Sequence, residues 1–103
     1  MRVEFSTDQL VYLYTTPLNQ ITGKLEFGKH IIRQYKKKIN ILMAITDITH
    51  LRNFRSLNFE FLKGDRKGQC SIRLNTQYRL IFRQTKKDEI EILVVNEISK
   101  HYE

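Results

Sequence analysis

The sequence predicts one α+β domain over residues 1–103, with a mainly antiparallel sheet of about four strands packed on two to three N-terminal helices. The chain has 103 residues, near the common size of a single domain. Helical patterns fall in its first half, and three strand patterns joined by short turns fall in its second half. Elements segregated in this way favour an α+β fold over an alternating fold with a parallel sheet.

The chain opens with a strand pattern and a short helix pattern. Apolar and charged residues alternate over Arg2–Phe5, which predicts a strand. Ser6 and Gln9 have the spacing of a capping box with Ser6 as the cap. A short helix is therefore expected over residues 7–14. A strand over residues 11–15 is the competing interpretation, because Val, Tyr and Thr favour sheets. A loop follows over residues 15–26.

Residues 28–45 give the clearest helix pattern. Apolar residues recur at three- and four-residue steps and form one face, at Ile31, Ile32, Tyr35, Ile39, Leu42 and Met43. The other side is basic, with no acid from residue 28 to residue 46, and carries Lys29, Arg33, Lys36, Lys37 and Lys38. Two interpretations remain open: a solvated helix face, or a face that contacts phosphate or the ribosome.

The second half predicts short elements leading into a sheet. Asp47 can cap a short helix that ends near Phe54, and residues 56–62 are expected to cover the core. Strands are predicted over residues 69–74, 78–84 and 90–96, with turns at residues 75–77 and 86–88. The Leu93-Val94-Val95 run predicts that the last strand is central and buried on both faces. The sheet is expected to bury one face on the residue 28–45 helix and to leave the other open.

Much of the excess positive charge lies in residues 62–83. This stretch has six basic residues and a single acid, Asp65, for a net charge of +5. Strand alternation points Ile72, Leu74, Leu80 and Phe82 to the core and Arg73, Arg79 and Arg83 to solvent. Neighbouring guanidinium groups repel, so such an array is typical of a site for an anion such as phosphate. The alternative is that the arginines pair with Glu91, Glu97 or Asp65. Residues 63–68 predict a charged turn with two glycines, which we call the glycine turn, and Asp65 is expected to cap it or to brace an arginine.

Composition limits the classes of partner and site. The formal net charge is +7 and the pI is about 9.7, which is typical of a nucleic-acid-binding protein. One cysteine, Cys70, excludes an internal disulfide and suits a reducing compartment. We see no signal peptide and no apolar run of about 18 residues, so we expect a cytoplasmic protein without a membrane span. Three scattered histidines and one cysteine give no usual metal spacing, so we expect neither a metal nor another cofactor.

Four short runs resemble the HigB branch of the RelE/ParE toxin superfamily. They are LNFE at residues 57–60, LKGDRKGQ at 62–69, SIRLN at 71–75 and QYRLIF at 77–82. The resemblance implies a RelE-like fold with a twisted antiparallel sheet. It also implies a type II toxin that cuts mRNA on the ribosome and forms a hetero-oligomer with a HigA-like helix-turn-helix antitoxin. The chain departs from its relatives at Asn58, commonly histidine, at Cys70, commonly aromatic, and in its His-Tyr-Glu tail.

The resemblance places functional positions at Lys63, Arg73, Arg79, His101 and Tyr102. It implies cutting without metal, by attack of the RNA 2′-hydroxyl on the adjacent phosphate. We expect the two arginines to bind the phosphate and the charge of the transition state. Lys63 would hold the phosphate or protonate the leaving oxygen, His101 would act as acid or base, and Tyr102 would orient or stack on a base. RNA or ribosome contacts are expected from Lys29, Arg33, Lys36, Lys37, Lys38, Arg66, Lys67 and Arg83.

Two other functions fit parts of the same pattern. A ParE-like toxin would block DNA gyrase and cut nothing. A relative whose altered tail has disarmed the site would be an RNA-binding domain without activity.

Overall fold

Five strands and two helices form the part of the protein that the structure describes. The computed structural model describes residues 1–23 and 26–100. The helices are α1 (Asp8–Thr15) and α2 (Lys29–Ala44), and the strands are β1 (Arg2–Phe5), β2 (Glu60–Phe61), β3 (Cys70–Arg73), β4 (Tyr78–Lys87) and β5 (Ile90–Lys100). Short 3-10 turns lie at Leu18–Gln20, Ile48–Asn53, Arg55–Leu57 and Gly64–Arg66. No helix within the described ranges is long and apolar enough to cross a membrane.

The strands form one sheet in the order β1-β5-β4-β3-β2. Strands β5, β4, β3 and β2 pair antiparallel, whereas β1 pairs parallel with β5. The predicted mainly antiparallel α+β sheet is therefore confirmed, with one strand more than expected. The additional strand is β2, a two-residue edge strand inside the stretch predicted to cover the core.

A β-bulge in β5 decides which side chains reach each face of the sheet. Ile81 pairs with Glu97 and Phe82 pairs with Val95, so Asn96 is the extra residue. The bulge shifts the alternation by one residue. Leu93, Val95 and Ile98 therefore join the core, and Glu97 and Ser99 lie on the opposite face.

The N-terminal helix begins one residue later than predicted. Thr7 is the N-cap, and its hydroxyl accepts a hydrogen bond from the Leu10 amide at 3.2 Å. The prediction of Ser6 as the cap is wrong, because the Ser6 amide and hydroxyl both donate to β5, at Val95 and Asn96. Ser6 thus extends the pairing of β1 with β5. Residues 11–15 are helical, which excludes the competing strand.

The core lies between the apolar side of α2 and one face of the sheet. The five α2 residues Ile31, Ile32, Tyr35, Ile39 and Leu42 are buried there with the predicted strand residues Ile72, Leu74, Leu80 and Phe82. Met43, predicted on the same helix face, is 40% exposed. The Tyr35 hydroxyl donates to the Leu10 carbonyl at 2.7 Å and so links α2 to α1 inside the core.

The last hairpin turns later than predicted. Strand β4 continues to Lys87, and Asp88 and Glu89 form the turn with φ of 53° and 66°. Positive φ at both central residues is the geometry that suits the twist of a two-residue hairpin. The predicted turn at residues 86–88 is therefore wrong by about one residue, and β5 extends to Lys100 instead of ending at Asn96.

Candidate functional site

A groove of about 250 Å³ lies on the sheet face opposite the helices. We call it the sheet groove. Six of its eight lining residues are polar or charged, and the lining comes from four strands, Leu62 and the glycine turn: Glu60, Leu62, Arg66, Ser71, Arg79, Ile81, Ser99 and Lys100. Strand pairing builds its floor, because Glu60 pairs with Ser71, Ser71 pairs with Ile81, and Ile81 pairs with Glu97.

Arg79 is held in one orientation at this groove. Its Nε donates to Ser71 Oγ at 2.9 Å, and its Nη2 donates to the Asn58 carbonyl oxygen at 2.7 Å. Only 6% of its surface is exposed, so the prediction of a solvent-facing side chain is wrong. The cause is the segment before β2, where Asn58 takes the left-handed conformation, with φ of 46°, and supplies its carbonyl. The guanidinium is therefore an oriented donor group and not a mobile surface charge.

Two charged residues, Arg73 and Glu60, lie near Arg79. Arg73 lies directly opposite it in the β3–β4 register, so the predicted juxtaposition of these arginines is confirmed. Burial lowers the pKa of Arg79, Glu60 raises it, and Arg73 lowers it. Like charges directly opposite in a sheet are destabilising. A negatively charged ligand between the two guanidinium groups would offset this repulsion.

Arg66, which lines the sheet groove, forms an ion pair with Glu97. Arg66 Nη1 lies 2.7 Å from Glu97 Oε1 and also donates to Gln69 Oε1 at 3.2 Å. The pair ties the Gly64–Arg66 turn to β5. Glu97 thus forms a salt bridge with Arg66 and with none of the three sheet arginines.

The predicted pairing of sheet arginines with acids is not found in the described part of the chain. Arg83 donates instead to Asn96 Oδ1 at 2.8 Å, on the bulge. Within residues 1–23 and 26–100, neither Arg73 nor Arg79 forms a salt bridge, and Asp65 braces no arginine. All three sheet arginines therefore lack a carboxylate partner at salt-bridge distance in this region.

The glycine turn presents two further predicted residues. Lys63 and Lys67 are exposed on either side of the Gly64–Arg66 turn. Gly64 and Gly68 have φ of 64° and 93°, a conformation that side chains rarely adopt, so glycine fits the tight reversal here. Lys63 follows Leu62, which lines the sheet groove, but Lys63 itself does not line it. His101 and Tyr102 lie outside the described residues and follow Lys100, which does line it.

The basic side of α2 does not meet the sheet groove. The helix covers the core face of the sheet, and the groove lies on the other face. Lys29, Arg33 and Lys37 are exposed, whereas Lys38 is half-buried and donates to Gln34 Oε1 at 3.0 Å. The predicted site residues therefore form two separate basic surfaces.

Lys36 differs from the other helix lysines. Its ammonium donates to the carbonyl of Tyr14 at 2.9 Å and to that of Thr16, at the C-terminal end of α1. Burial lowers its pKa. Two of its three N–H donors join α2 to α1, and the expected RNA contact of Lys36 stays a prediction.

Several groove residues were not singled out from the sequence. Glu60 lay in an apolar stretch predicted to cover the core, and its site role depends on the edge strand β2. Ser71 could have been found, since it alternates in phase with Arg73 on the same strand. Ser99 and Lys100 could not, because the bulge at Asn96 sets their face.

The fold defines a class of protein. It is a RelE-like α+β fold, shared with a YoeB/ParE toxin from Agrobacterium tumefaciens at a TM-score of 0.57 and 18% identity, over 99% of this chain and 100% of that one. A mutant of YafQ from E. coli shares the fold at a TM-score of 0.55 and 16% identity, over 97% of this chain and 93% of that one. A chain of the YoeB-YefM complex from Staphylococcus aureus has a TM-score of 0.50 and 20% identity, over 99% of this chain and 98% of that one.

Sequence comparison gives the family. Residues 5–97 match the model of the HigB-like toxins, described as the RelE-like toxin of the type II toxin-antitoxin system HigB. The chain belongs to this family, which confirms the resemblance drawn from its motifs. It is also 50% identical over 46 residues to Toxin HigB-1 of Vibrio cholerae serotype O1 (strain ATCC 39315 / El Tor Inaba N16961). That match covers 45% of this chain and 48% of that toxin, about half the length of each.

Proposed function

We propose that the protein is an endoribonuclease that cuts mRNA on the ribosome and is neutralised by a HigA-like helix-turn-helix antitoxin. The observation that carries the proposal is the oriented Arg79 guanidinium, with Arg73 directly opposite and Glu60 beside it in a groove. Two arginines suit a phosphate, because each guanidinium fork can make two parallel hydrogen bonds to its oxygens. Family membership supports a toxin that acts with an antitoxin.

The proposed reaction is the in-line attack of an RNA 2′-hydroxyl on the adjacent phosphate, without a metal ion. The new oxygen–phosphorus bond displaces the 5′-oxygen of the next nucleotide. Arg79 and Arg73 bind the phosphate oxygens, whose negative charge grows in the transition state. Ser71 and the Asn58 carbonyl keep Arg79 in place, so its donors need no reorganisation during the reaction.

Proton transfer needs a base for the 2′-hydroxyl and an acid for the leaving oxygen. Among the described residues that line the groove, Glu60 is the carboxylate, and it is proposed as the base. The sequence-based prediction named His101 as acid or base. Lys63 and His101 remain the proposed donors to the leaving oxygen, and Tyr102 is proposed to stack on a base. A base and an acid of this kind each contribute about 10²–10⁴-fold in rate.

The test is induced expression of the chain with primer extension on cellular mRNA. We expect new 5′ ends inside translated frames, and their loss in Arg73→Ala and Glu60→Gln. Lys86→Ala is the control, because Lys86 is an exposed β4 residue outside the groove. Growth arrest with intact mRNA and trapped gyrase–DNA complexes would establish a ParE-like toxin instead. RNA binding without arrest or cutting would establish a disarmed relative.

A further inference from the structure

A second groove, of about 210 Å³, lies beside the candidate site in the segment before β2. We call it the aromatic groove. Its lining combines aromatic, apolar and cationic residues with one amide, namely Leu51, Arg52, Phe54, Arg55, Asn58 and Phe59. The sequence-based predictions gave this segment the role of a short helix and a core cover, and the proposed reaction uses only the Asn58 carbonyl.

The aromatic groove presents flat apolar surface to solvent. Phe54 is 43% exposed and Phe61, adjacent to the groove, is 53% exposed. The buried Phe59 holds this surface in place, since its ring centroid lies 5.0 Å from that of Phe61 and 6.4 Å from that of the core residue Phe82. The Phe59 and Phe61 rings therefore form a platform anchored on the core, and Phe54 lines the same groove as Phe59.

The charge of the groove is positive. Residues 48–59 contain no acid, and Arg52 and Arg55 are both exposed. The Arg52 guanidinium lies over the Phe59 and Phe61 rings, at 5.4 Å and 5.7 Å from their centroids. In the described part of the chain neither arginine forms a salt bridge. Stacking orients the Arg52 fork without a carboxylate, which suits an anionic partner.

The two grooves share a boundary. Asn58 lines the aromatic groove, and its carbonyl accepts the hydrogen bond from Arg79, which lines the sheet groove. A ligand whose phosphate contacts Arg79 can therefore continue past Asn58 onto the aromatic surface. Single-stranded nucleic acid has the matching chemistry, with phosphates for the arginines and base faces for the phenylalanines.

We propose that the aromatic groove is a second RNA subsite, in which a nucleotide flanking the cut phosphate stacks on Phe54 or Phe61 while Arg52 and Arg55 bind its phosphates. The proposal rests on the proposed function for its substrate. It adds a binding contribution that is outside the reacting atoms and tolerant of base identity, because every base has a face that stacks.

The experiment measures binding of a short fluorescent single-stranded RNA to the full chain by anisotropy, with every 2′-hydroxyl methylated so that no attack occurs. Phe54→Ala is expected to weaken binding about 5- to 160-fold, the equivalent of ~1–3 kcal/mol for one stacked base. The double variant Arg52→Gln, Arg55→Gln is expected to flatten the salt dependence by about 1.4 in log–log slope, for two phosphates at ~0.7 each.

Matched controls come from the far end of the β4–β5 hairpin. Ile90→Ala removes an apolar side chain with the same 53% exposure as Phe61, and Lys86→Gln with Lys87→Gln removes two exposed charges. Thermal melting of each variant reports its folding. Groove variants that bind RNA as tightly as these controls would overturn the proposal. Groove variants that bind RNA normally but no longer bind an acidic antitoxin would overturn the proposal in favour of a protein partner.

The two proposals can fail separately. Groove-dependent binding of the methylated RNA by a chain that cuts no cellular mRNA would retain the subsite and remove the endoribonuclease. Normal cutting of mRNA, with aromatic-groove variants that bind RNA as tightly as the controls, would retain the endoribonuclease and remove the subsite.

Discussion

At the scale of single residues, Arg79 shows how a correct alternation can still give a wrong environment. Its phase on β4 places it on the face opposite the core, as predicted, with Ile81 beside it. Its burial comes from Asn58 and β2, which are far away in sequence and have weak local patterns. Strand periodicity identifies a face, but it does not tell which segment of the chain covers that face.

Replacement of Arg79 by lysine is expected to lower the rate of mRNA cutting by about 10²–10³, the usual cost of losing one preorganised donor to the transition state. An ammonium cannot reproduce the fork that bonds both Ser71 and Asn58, so the free energy of unfolding should also fall, by about 1–3 kcal/mol. Arg83→Lys is the control, because Arg83 is exposed and bonds one side chain, Asn96. Single-turnover cutting with purified ribosomes and thermal melting measure both effects. Equal rates for the two variants would remove Arg79 from the site.

Cys70 gives a prediction for pH. Burial raises the pKa of its thiol to about 11, from its ordinary value of 9.0. The folded state therefore holds a proton that the unfolded state loses, so the contribution of this thiol to stability is complete below about pH 9 and declines as pH rises towards 11.

We therefore expect Cys70→Ser to reduce the fall in unfolding free energy between pH 9 and pH 11 that denaturant titrations of the wild type show. The folded thiol should also stay unreactive to iodoacetamide at neutral pH, because the thiolate is the nucleophile. Rapid alkylation of the folded protein would contradict the buried, protonated state.

At the scale of elements, α2 was the most predictable part of the fold and the roles of its charges were among the least predictable. Its apolar spacing gave the helix and its buried face to within one residue at each end. Five basic residues looked alike in sequence, yet Lys36 lies against the end of α1. That difference arises from helix–helix packing, which no pattern within the helix contains.

Lys36→Met should lower the free energy of unfolding by about 1–2 kcal/mol, because the carbonyls of Tyr14 and Thr16 lose a charged donor. Lys37→Met changes the same residue type one position on, where the side chain is exposed, and should stay within about 0.5 kcal/mol of the wild type. Urea titrations measure both values. Similar losses in the two variants would show that the Lys36 bonds contribute little.

The turn of the last hairpin allows a stabilising change. Glu89 has a φ of 66°, which costs a residue with a Cβ roughly 1 kcal/mol more than it costs glycine. Glu89→Gly should therefore raise the free energy of unfolding by about 0.5–1 kcal/mol, since the resulting Asp-Gly pair is a preferred hairpin turn. Glu91→Gly, in the adjacent strand, should lower it, because glycine weakens a strand interior. A loss of stability in both variants would contradict the turn geometry.

At the scale of the whole molecule, the sequence predicted the fold class, the single sheet, the core face and the pairing of Arg73 with Arg79. The lining of the sheet groove could not be predicted from the sequence. The position of Glu60 is set by a two-residue edge strand, and that of Lys100 by a β-bulge. The structure also separates the basic residues, which the sequence presents as one excess of charge, onto two opposite sides of the sheet.

This separation leads to different roles for the two surfaces. If the exposed α2 cations dock on ribosomal RNA while the sheet groove holds mRNA, the triple variant Lys29→Gln, Arg33→Gln, Lys37→Gln should lose ribosome affinity and retain a normal groove. The log–log salt slope of ribosome cosedimentation, measured between about 50 and 200 mM salt, should fall by about 2–3, for three phosphates at ~0.7–0.9 each. Arg73→Ala, with one charge removed on the other side, should change the slope by about 1 at most. Wild-type binding that does not respond to salt would contradict electrostatic docking altogether. An unchanged slope in the triple variant, with salt-dependent wild-type binding, would instead assign docking to the groove side and leave the basic side of α2 as a solvated face.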